Sequence, residues 1–265
     1  MNPVHAYSFE CTGVTIIPNA LTYNQVEEAK GLIKQNWPEG APWKFPVLHL
    51  GGIFWDMMTH PYLLNLCKQF AGEHFRMDHA FGLTSNGAIS QLHGGPQSSQ
   101  YSCFYLPLSF GDRRGLAGQL NFGFCLEGQS PETGGFCYVP GSHKVVDSRA
   151  GREVLAEVYG GKFDHHSITV PTLIPGDMIV FTEALIHGDT GWRKKSPGSC
   201  RMQVYYKMTP GFMCWRDPAQ NEHLLKYART DLERRLMASP WTGRYSETAI
   251  SMGTDNSRRE PTVQS

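Results

Sequence analysis

Three short segments carry side chains able to hold a metal ion and an anionic group. The first is Gln91-Leu92-His93-Gly94-Gly95-Pro96. It sets an imidazole beside a sharp turn, and the two glycines leave open volume next to the ring. The second is the run from Ile174-Pro175-Gly176-Asp177 through the apolar Met178-Ile179-Val180-Phe181 to His187-Gly188. A neutral imidazole at the mouth of a β structure is a good metal ligand. Taken alone, a histidine such as His93 is more often a loop or core residue than a ligand, and His187 also reads as a hydrogen-bonded residue at a strand end. The third segment is Arg201-Met202-Gln203-Val204-Tyr205-Tyr206. Strand alternation puts Arg201, Gln203 and Tyr205 on one face. If that face is interior, the guanidinium requires a carboxylate or phosphate partner. If it is exterior, Arg201 is an ordinary solvated cation.

These residues need a scaffold of short strands. From residue 74 onward, β-prone runs alternate with Gly, Pro, Asn and Ser breaks: 75–83, 102–108, 118–126, 135–139, 167–173, 177–181 and 200–208. Many short strands with glycine turns predict a sandwich or barrel of the jelly-roll type. Ahead of them, residues 8–18 predict a β segment. A helix follows with Thr22 as its N-cap and Val26, Ala29, Leu32 and Ile33 on its apolar face. A second helix starts at His60-Pro61 and stops at Gly72. Residues 218–238 predict a third, with a leucine stripe. We read one domain over 1–240, helical at its N-terminal end and packed on a β core, and a polar tail over 241–265. No internal repeat is present.

The bulk composition narrows the class. Lys plus Arg and Asp plus Glu both number 24, so no net field favours nucleic acid polymers or anionic membranes. No apolar run approaches the roughly 18–20 residues of a membrane-spanning helix. Seven cysteines, an odd count without zinc-type spacing, and a start without a secretory pattern predict reduced thiols in the cytoplasm.

Pro131-Glu132-Thr133-Gly134-Gly135-Phe136-Cys137-Tyr138-Val139-Pro140-Gly141-Ser142-His143-Lys144 resembles the signature of the phytanoyl-CoA dioxygenase family. The Pro-Gly-Asp…Phe-Thr-Glu-Ala…His-Gly run resembles that family's distal-histidine strand. The histidines stand 94 residues apart (93 and 187), and an arginine follows 14 residues after the second (187 and 201); both spacings suit the family. The resemblance covers about residues 8 to 211. It implies a mainly β fold with flanking helices, a double-stranded β-helix (jelly roll, cupin-like). It also implies Fe(II) on His93 and His187, with 2-oxoglutarate as co-substrate. Arg201 would pair with the distal carboxylate of 2-oxoglutarate, with Thr190 or Asp189 near the hydroxyl partner of that carboxylate. Gln119 and Asn121 would touch co-substrate or substrate, while His143 would support the turn after Pro140-Gly141.

One position departs from the family. Its usual metal site is two histidines and a carboxylate, the first histidine lying in His-x-Asp. Here Gly95 stands in the carboxylate position. Four readings follow. In the first, Gly95 opens a halide position and the protein is a chloride-using halogenase. In the second, it is a hydroxylase that works with two histidines and water or borrows a carboxylate from elsewhere. In the third, Asp189 in His187-Gly188-Asp189 supplies the ligand. In the fourth, the barrel is a catalytically inactive binding module. Halogenation and hydroxylation nearly balance, with halogenation slightly preferred. The expected substrate is a small molecule, anionic or phosphorylated if Arg113, Arg114, Arg193 or Lys194 meets it. Trp37, Trp43, Phe45, Phe54 and Trp55 are candidates for an aromatic lid, or for packing between helices and barrel.

Overall fold

Asn2 caps the first helix, its side chain accepting from Val4 N, and Pro3 fills the first helical turn. In a computed structural model of the chain this helix, α1, spans Pro3–Thr12, and it ends at Gly13 in the left-handed region at φ 81. The described residues are 2–85, 90–95, 104–110, 113–145, 165–192, 201–217 and 219–240. The β segment expected over 8–18 is therefore strand only at β1, Val14–Ile17. Residues 8–12 are helical because Ala6 and Phe9 give α1 a buried face, and Phe9 packs on Phe70.

The next elements follow their caps. Helix α2, Tyr23–Asn36, begins at a reciprocal Thr22–Gln25 capping box. Strand β2 is Lys44–Phe45, helix α3 is Gly52–Met58, and helix α4 is Pro61–Phe70 with Pro61 in its first turn. The strands are β3 Phe75–Ser85, β4 Ser90–His93, β5 Tyr105–Phe110, β6 Arg113–Ala117, β7 Leu120–Glu127 and β8 Gly134–Tyr138. They continue with β9 Met178–Thr182, β10 His187–Trp192 and β11 Arg201–Pro210. The expected strand over 167–173 reduces to single bridges at Thr169 and Leu173.

The predicted third helix is broken. It gives a short α5, Ala219–Glu222, a 3-10 turn at Leu225–Tyr227, and α6, Asp231–Leu236. Thr230 takes an extended conformation and forms a capping box with Glu233, which restarts the helix and prevents one continuous rod.

The strands form a six-stranded antiparallel sheet, β1-β9-β7-β11-β3-β2, a three-stranded sheet, β4-β10-β8, and the pair β5-β6. The two larger sheets face each other through Phe136–Phe181 at 4.7 Å between ring centroids and Phe181–His187 at 4.7 Å. This is a double-stranded β-helix with helices against its large sheet.

Alternation gives the large sheet two different faces. Phe122, Phe124, Val204, Tyr206, Met178 and Val180 join Phe54, Trp55, Leu63, Leu66 and Phe70 in the main core. Each such apolar side chain contributes roughly 1.5–3 kcal/mol on burial. Two polar atoms in this layer are matched: Tyr206 donates to Phe54 O at 2.5 Å and Trp55 Nε1 to Leu48 O at 2.8 Å. This arrangement removes the aromatic-lid reading. Phe45, Phe54 and Trp55 are buried under the helices, Trp37 packs on Phe45, and Trp43 is exposed.

The opposite face carries the residues of interest. Tyr205 pairs with Phe81 and Gly123, Gln203 with Leu83 and Cys125, and Lys207 with His79 and Asn121. Lys44 pairs with Leu83 at the β2 edge, so it shares this face.

The side chains of Arg113 and Arg114, residues 193–195 and the tail 241–265 lie outside what is described. Among the described residues, Cys11, Cys67, Cys125, Cys137 and Cys214 are free thiols, and no helix is long and apolar enough to cross a membrane.

Candidate metal and co-substrate site

His93 ends β4 and His187 begins β10, and the antiparallel register sets them directly opposite each other. Their ring centroids lie 4.2 Å apart. The chain can bring them this close because Gly94 has no Cβ: one built there would sit 2.3 Å from Leu185 O and 3.2 Å from His187 Nδ1. Gly94 and Gly95 both adopt left-handed backbone, at φ 83 and 81.

His187 Nδ1 lies 2.8 Å from Leu185 O. The carbonyl can only accept, so Nδ1 carries the proton and Nε2 keeps its lone pair for a metal. Burial, then the neighbouring His93, holds His187 down at about 3, so the ring is neutral at ordinary pH.

A carboxylate completes the cluster. His93, Glu183 and His187 bring one donor atom each within 4.8 Å of one another. Glu183 lies in the turn between β9 and β10, where its N–H donates to Gln119 O and Leu185 N–H donates to Thr182 O. Its Oε2 accepts from Asn121 Nδ2 at 2.8 Å and from Lys207 Nζ at 2.8 Å. Both bonds fall on one oxygen, Oε2. Burial works against the ionised form, but Lys207, His187 and the Asn121 bond outweigh it and hold the carboxyl well below the usual range.

Glu183 was visible in the sequence only as part of an apolar run. The available signal was physical: an acid four residues before a candidate ligand histidine, inside a buried segment, must have a counter-charge or a metal.

Arg201 forms the second pole. The face holding Arg201, Gln203 and Tyr205 is interior, as one of the two alternatives required. The guanidinium's charge partner is Asp189 of β10, which it meets through Nη1. Nη2 donates to Gln203 Oε1 at 2.5 Å and to Tyr205 Oη at 2.9 Å. Arg201 Nε and Gln203 Nε2 are buried donors with no hydrogen-bond partner.

Asp189 is thereby turned toward Arg201 and also accepts from Gly191 N–H at 2.9 Å; it is not part of the His–Glu–His cluster. Both poles open on one cavity of about 100 Å³, whose lining includes His93, Asn121, His187, Asp189, Arg201 and Lys207.

The remaining expected residues fall around this cavity. Thr190 closes on β8: its Oγ1 accepts from Gly135 N–H at 3.1 Å, and it does not line the cavity. Asn121 lines it and holds Glu183. Gln119 is buried beside the Glu183 turn with Nε2 unpartnered, and it too is outside the lining. Gly95 is buried just past His93 and outside the lining. His143 braces the fold: it is buried, packs edge-on against Tyr105 at 4.9 Å, and lies 3.3 Å from Glu10 O of α1 through Nε2.

The fold and the donor cluster define a jelly-roll protein with a candidate metal centre. A model of the phytanoyl-CoA dioxygenase (PhyH) family matches residues 45–192, more than half of the chain, and the chain belongs to that family. Solved structures share the fold at low identity. HygX from Streptomyces hygroscopicus, with nickel and 2-oxoglutarate bound, is 21% identical with a TM-score of 0.68, over 82% of this chain and 90% of that one. AviO1 from Streptomyces viridochromogenes Tue57 is 17% identical with a TM-score of 0.56, over 79% and 95%. EctD from S. alaskensis with bound Fe is 17% identical with a TM-score of 0.56, over 80% and 77%. No curated protein matches the chain.

Proposed function

We propose that this chain is an Fe(II)- and 2-oxoglutarate-dependent oxygenase of a small molecule. His93, Glu183 and His187 hold the iron, and Arg201 takes the distal carboxylate of 2-oxoglutarate. The observation that carries this reading is the convergence of the Glu183 carboxylate on two imidazoles, His93 and His187, which line the same cavity as the buried Arg201 guanidinium. Two nitrogens and one oxygen on one side of a metal leave the remaining positions open, the donor set of non-haem iron oxygenases.

The residues fit both groups. Nε2 of His187 is held in the ligating tautomer. The orphaned donors Arg201 Nε and Gln203 Nε2 need an acceptor, which a carboxylate supplies. Similar solved folds hold iron or 2-oxoglutarate, and HygX is also known with hygromycin B bound. When bound, these groups supply oxidation of an unactivated C–H bond by dioxygen, coupled to decarboxylation of 2-oxoglutarate to succinate.

The chain's own residues set the conditions. Asn121 and Lys207 fix Glu183 as an ionised ligand. Phe136, Phe181 and Leu83 give the cavity apolar walls that exclude water around the reacting C–H bond.

Oxygenation is favoured over halogenation because Glu183 replaces the carboxylate that Gly95 lacks. The halogenase reading has one observation of its own: Glu183 already has a counter-ion in Lys207, and Gly95 puts no side chain beside His93. In that case chloride takes the third position.

Anaerobic addition of Fe(II) and 2-oxoglutarate tests the common ground. A metal-to-ligand charge-transfer band is expected, and its absence would favour an inert binding barrel. Succinate formation and product mass, measured with and without chloride, separate the two enzyme readings. Chloride-independent oxygenation is expected.

A further inference from the structure

Strand β3 is paired with β11 from Phe75 to Ser85, but on its other side β2 reaches only Gly82 and Leu83. Pro46 follows β2 and, with no N–H to give the ladder, does not extend it. Past that point His79 and Ala80 border a second cavity of about 590 Å³, within the range of small-molecule sites.

The sheet has a built device at this cavity. The register passes from Lys207–His79 to Met208–Met77, so Asp78 is the extra residue of a β-bulge. Neighbours in a regular strand point to opposite faces; the bulge lets the Asp78 carboxylate turn to the residue beside it. Asp78 Oδ2 bonds His79 Nδ1 at 2.6 Å. Its Oδ1 accepts from Trp215 N–H at 2.6 Å and from Arg216 N–H at 3.3 Å, with Arg76 Nη1 at 3.6 Å. Asn221 Nδ2 donates to the Asp78 carbonyl at 2.9 Å, and Asn221 is itself part of the cavity wall. Burial opposes the charge on Asp78, but the bonds from His79 and the two N–H groups outweigh it and hold the carboxyl below its usual range.

This arrangement fixes the chemistry of His79. A carboxylate only accepts, so Nδ1 carries the proton and Nε2 keeps its lone pair. Burial, against the pull of Asp78, lowers the ring to about 4 and keeps it neutral at ordinary pH. The ring lines the second cavity and stacks on Phe81 at 5.7 Å. Phe81 in turn stacks on Tyr205 at 5.4 Å, and both line the metal-side cavity. A molecule seated against His79 therefore lies one ring from that cavity. Among the described residues the lining of the second cavity holds a cation, Arg216, and no acid. That disfavours an ammonium as the donor to Nε2 and favours a hydroxyl.

We infer that the second cavity seats a hydroxyl-bearing small-molecule substrate and that His79, positioned by Asp78, selects it by accepting a hydrogen bond from a substrate hydroxyl at Nε2. That the seated molecule extends past Phe81 to the metal rests on the oxygenase reading; the recognition of the hydroxyl does not.

The test uses full-length protein without added metal and needs no turnover. Long-range proton–nitrogen spectra of the histidine rings should show His79 as the Nδ1–H tautomer. Methyl α-glucoside and its tetra-O-methyl ether, which has no hydroxyl, are then titrated while the His79 resonances are followed. The glucoside should shift them saturably, and the ether should bind roughly tenfold more weakly, about the worth of one hydrogen bond. His79→Phe keeps a ring to stack on Phe81 but cannot accept, and should weaken glucoside binding by a similar factor. His79→Gln, whose amide oxygen can accept, should retain it. Asp78→Asn should move His79 away from the Nδ1–H tautomer and weaken binding, a spectroscopic change that a purely structural role would not produce.

An Nε2–H tautomer in the parent would overturn the inference. So would no saturable binding of the glucoside, equal affinity for glucoside and ether, or undiminished binding in folded His79→Phe. If that variant does not fold, the tautomer and the glucoside–ether comparison in the parent decide. Failure of iron or 2-oxoglutarate binding, measured separately, would instead count against the oxygenase reading.

Discussion

Replacing Lys207 with Met tests how Glu183 is used. The substitution keeps most of the side-chain bulk and removes the ammonium 2.8 Å from Glu183 Oε2. Glu183 is then a buried carboxylate held only by Asn121. Removing one partner of a buried ion pair costs roughly 3–5 kcal/mol. Lys207 retains 16% side-chain exposure, and the Asn121 bond survives, so the low end applies: the metal-free variant should lose about 3 kcal/mol. If Glu183 is a ligand, a divalent ion replaces the missing positive charge. Urea unfolding of both proteins, with and without Ni(II), reads this directly. Nickel should stabilise Lys207→Met by at least about 1 kcal/mol more than it stabilises the parent, because binding to the native state adds directly to its stability. Equal gains in both proteins would refute the carboxylate's role.

Arg201→Ala should destabilise by roughly 3–5 kcal/mol, because Asp189 is left buried without its cation; it should also abolish 2-oxoglutarate binding, seen as loss of the charge-transfer band. Thr230→Ala removes one half of a capping box and should cost about 1 kcal/mol in urea unfolding, with oxygenase activity unchanged. His143 has a folded-state value lowered by burial, then by Lys144, from 6.5 to about 4. The unfolded chain therefore takes up a proton that the folded chain refuses. His143 contributes no pH dependence above 6.5 and destabilises progressively as pH falls toward 4, by up to about 3 kcal/mol. His143→Phe should flatten the stability profile in that window, measured by urea unfolding at each pH.

Much of this site was legible because its residues combine rare types with fixed local geometry. His93 precedes two glycines, and His187 follows an apolar strand; the antiparallel register then sets them opposite each other. Alternation placed Arg201, Gln203 and Tyr205 on one face, though burial was needed to show that the face is interior. Glu183 was quoted in the distal motif but assigned no role. Periodicity does not say which residue of a turn points inward, and its partners Asn121 and Lys207 come from two other strands. The start of the chain was misread because the Asn2 cap and the Phe9 burial outweigh the β propensity of residues 8–12. The helix expected over 218–238 stops at Glu222 and starts again only after Thr230, a capping residue placed where a continuous helix would need a good interior former.

The most direct measurement is anomalous diffraction at the iron edge from crystals loaded anaerobically with Fe(II). A single peak bonded to His93, His187 and a Glu183 oxygen is the expected result. A peak held by the two histidines with water or halide in the third position, and Glu183 still turned to Lys207, would contradict the carboxylate assignment and restore the open position beside Gly95.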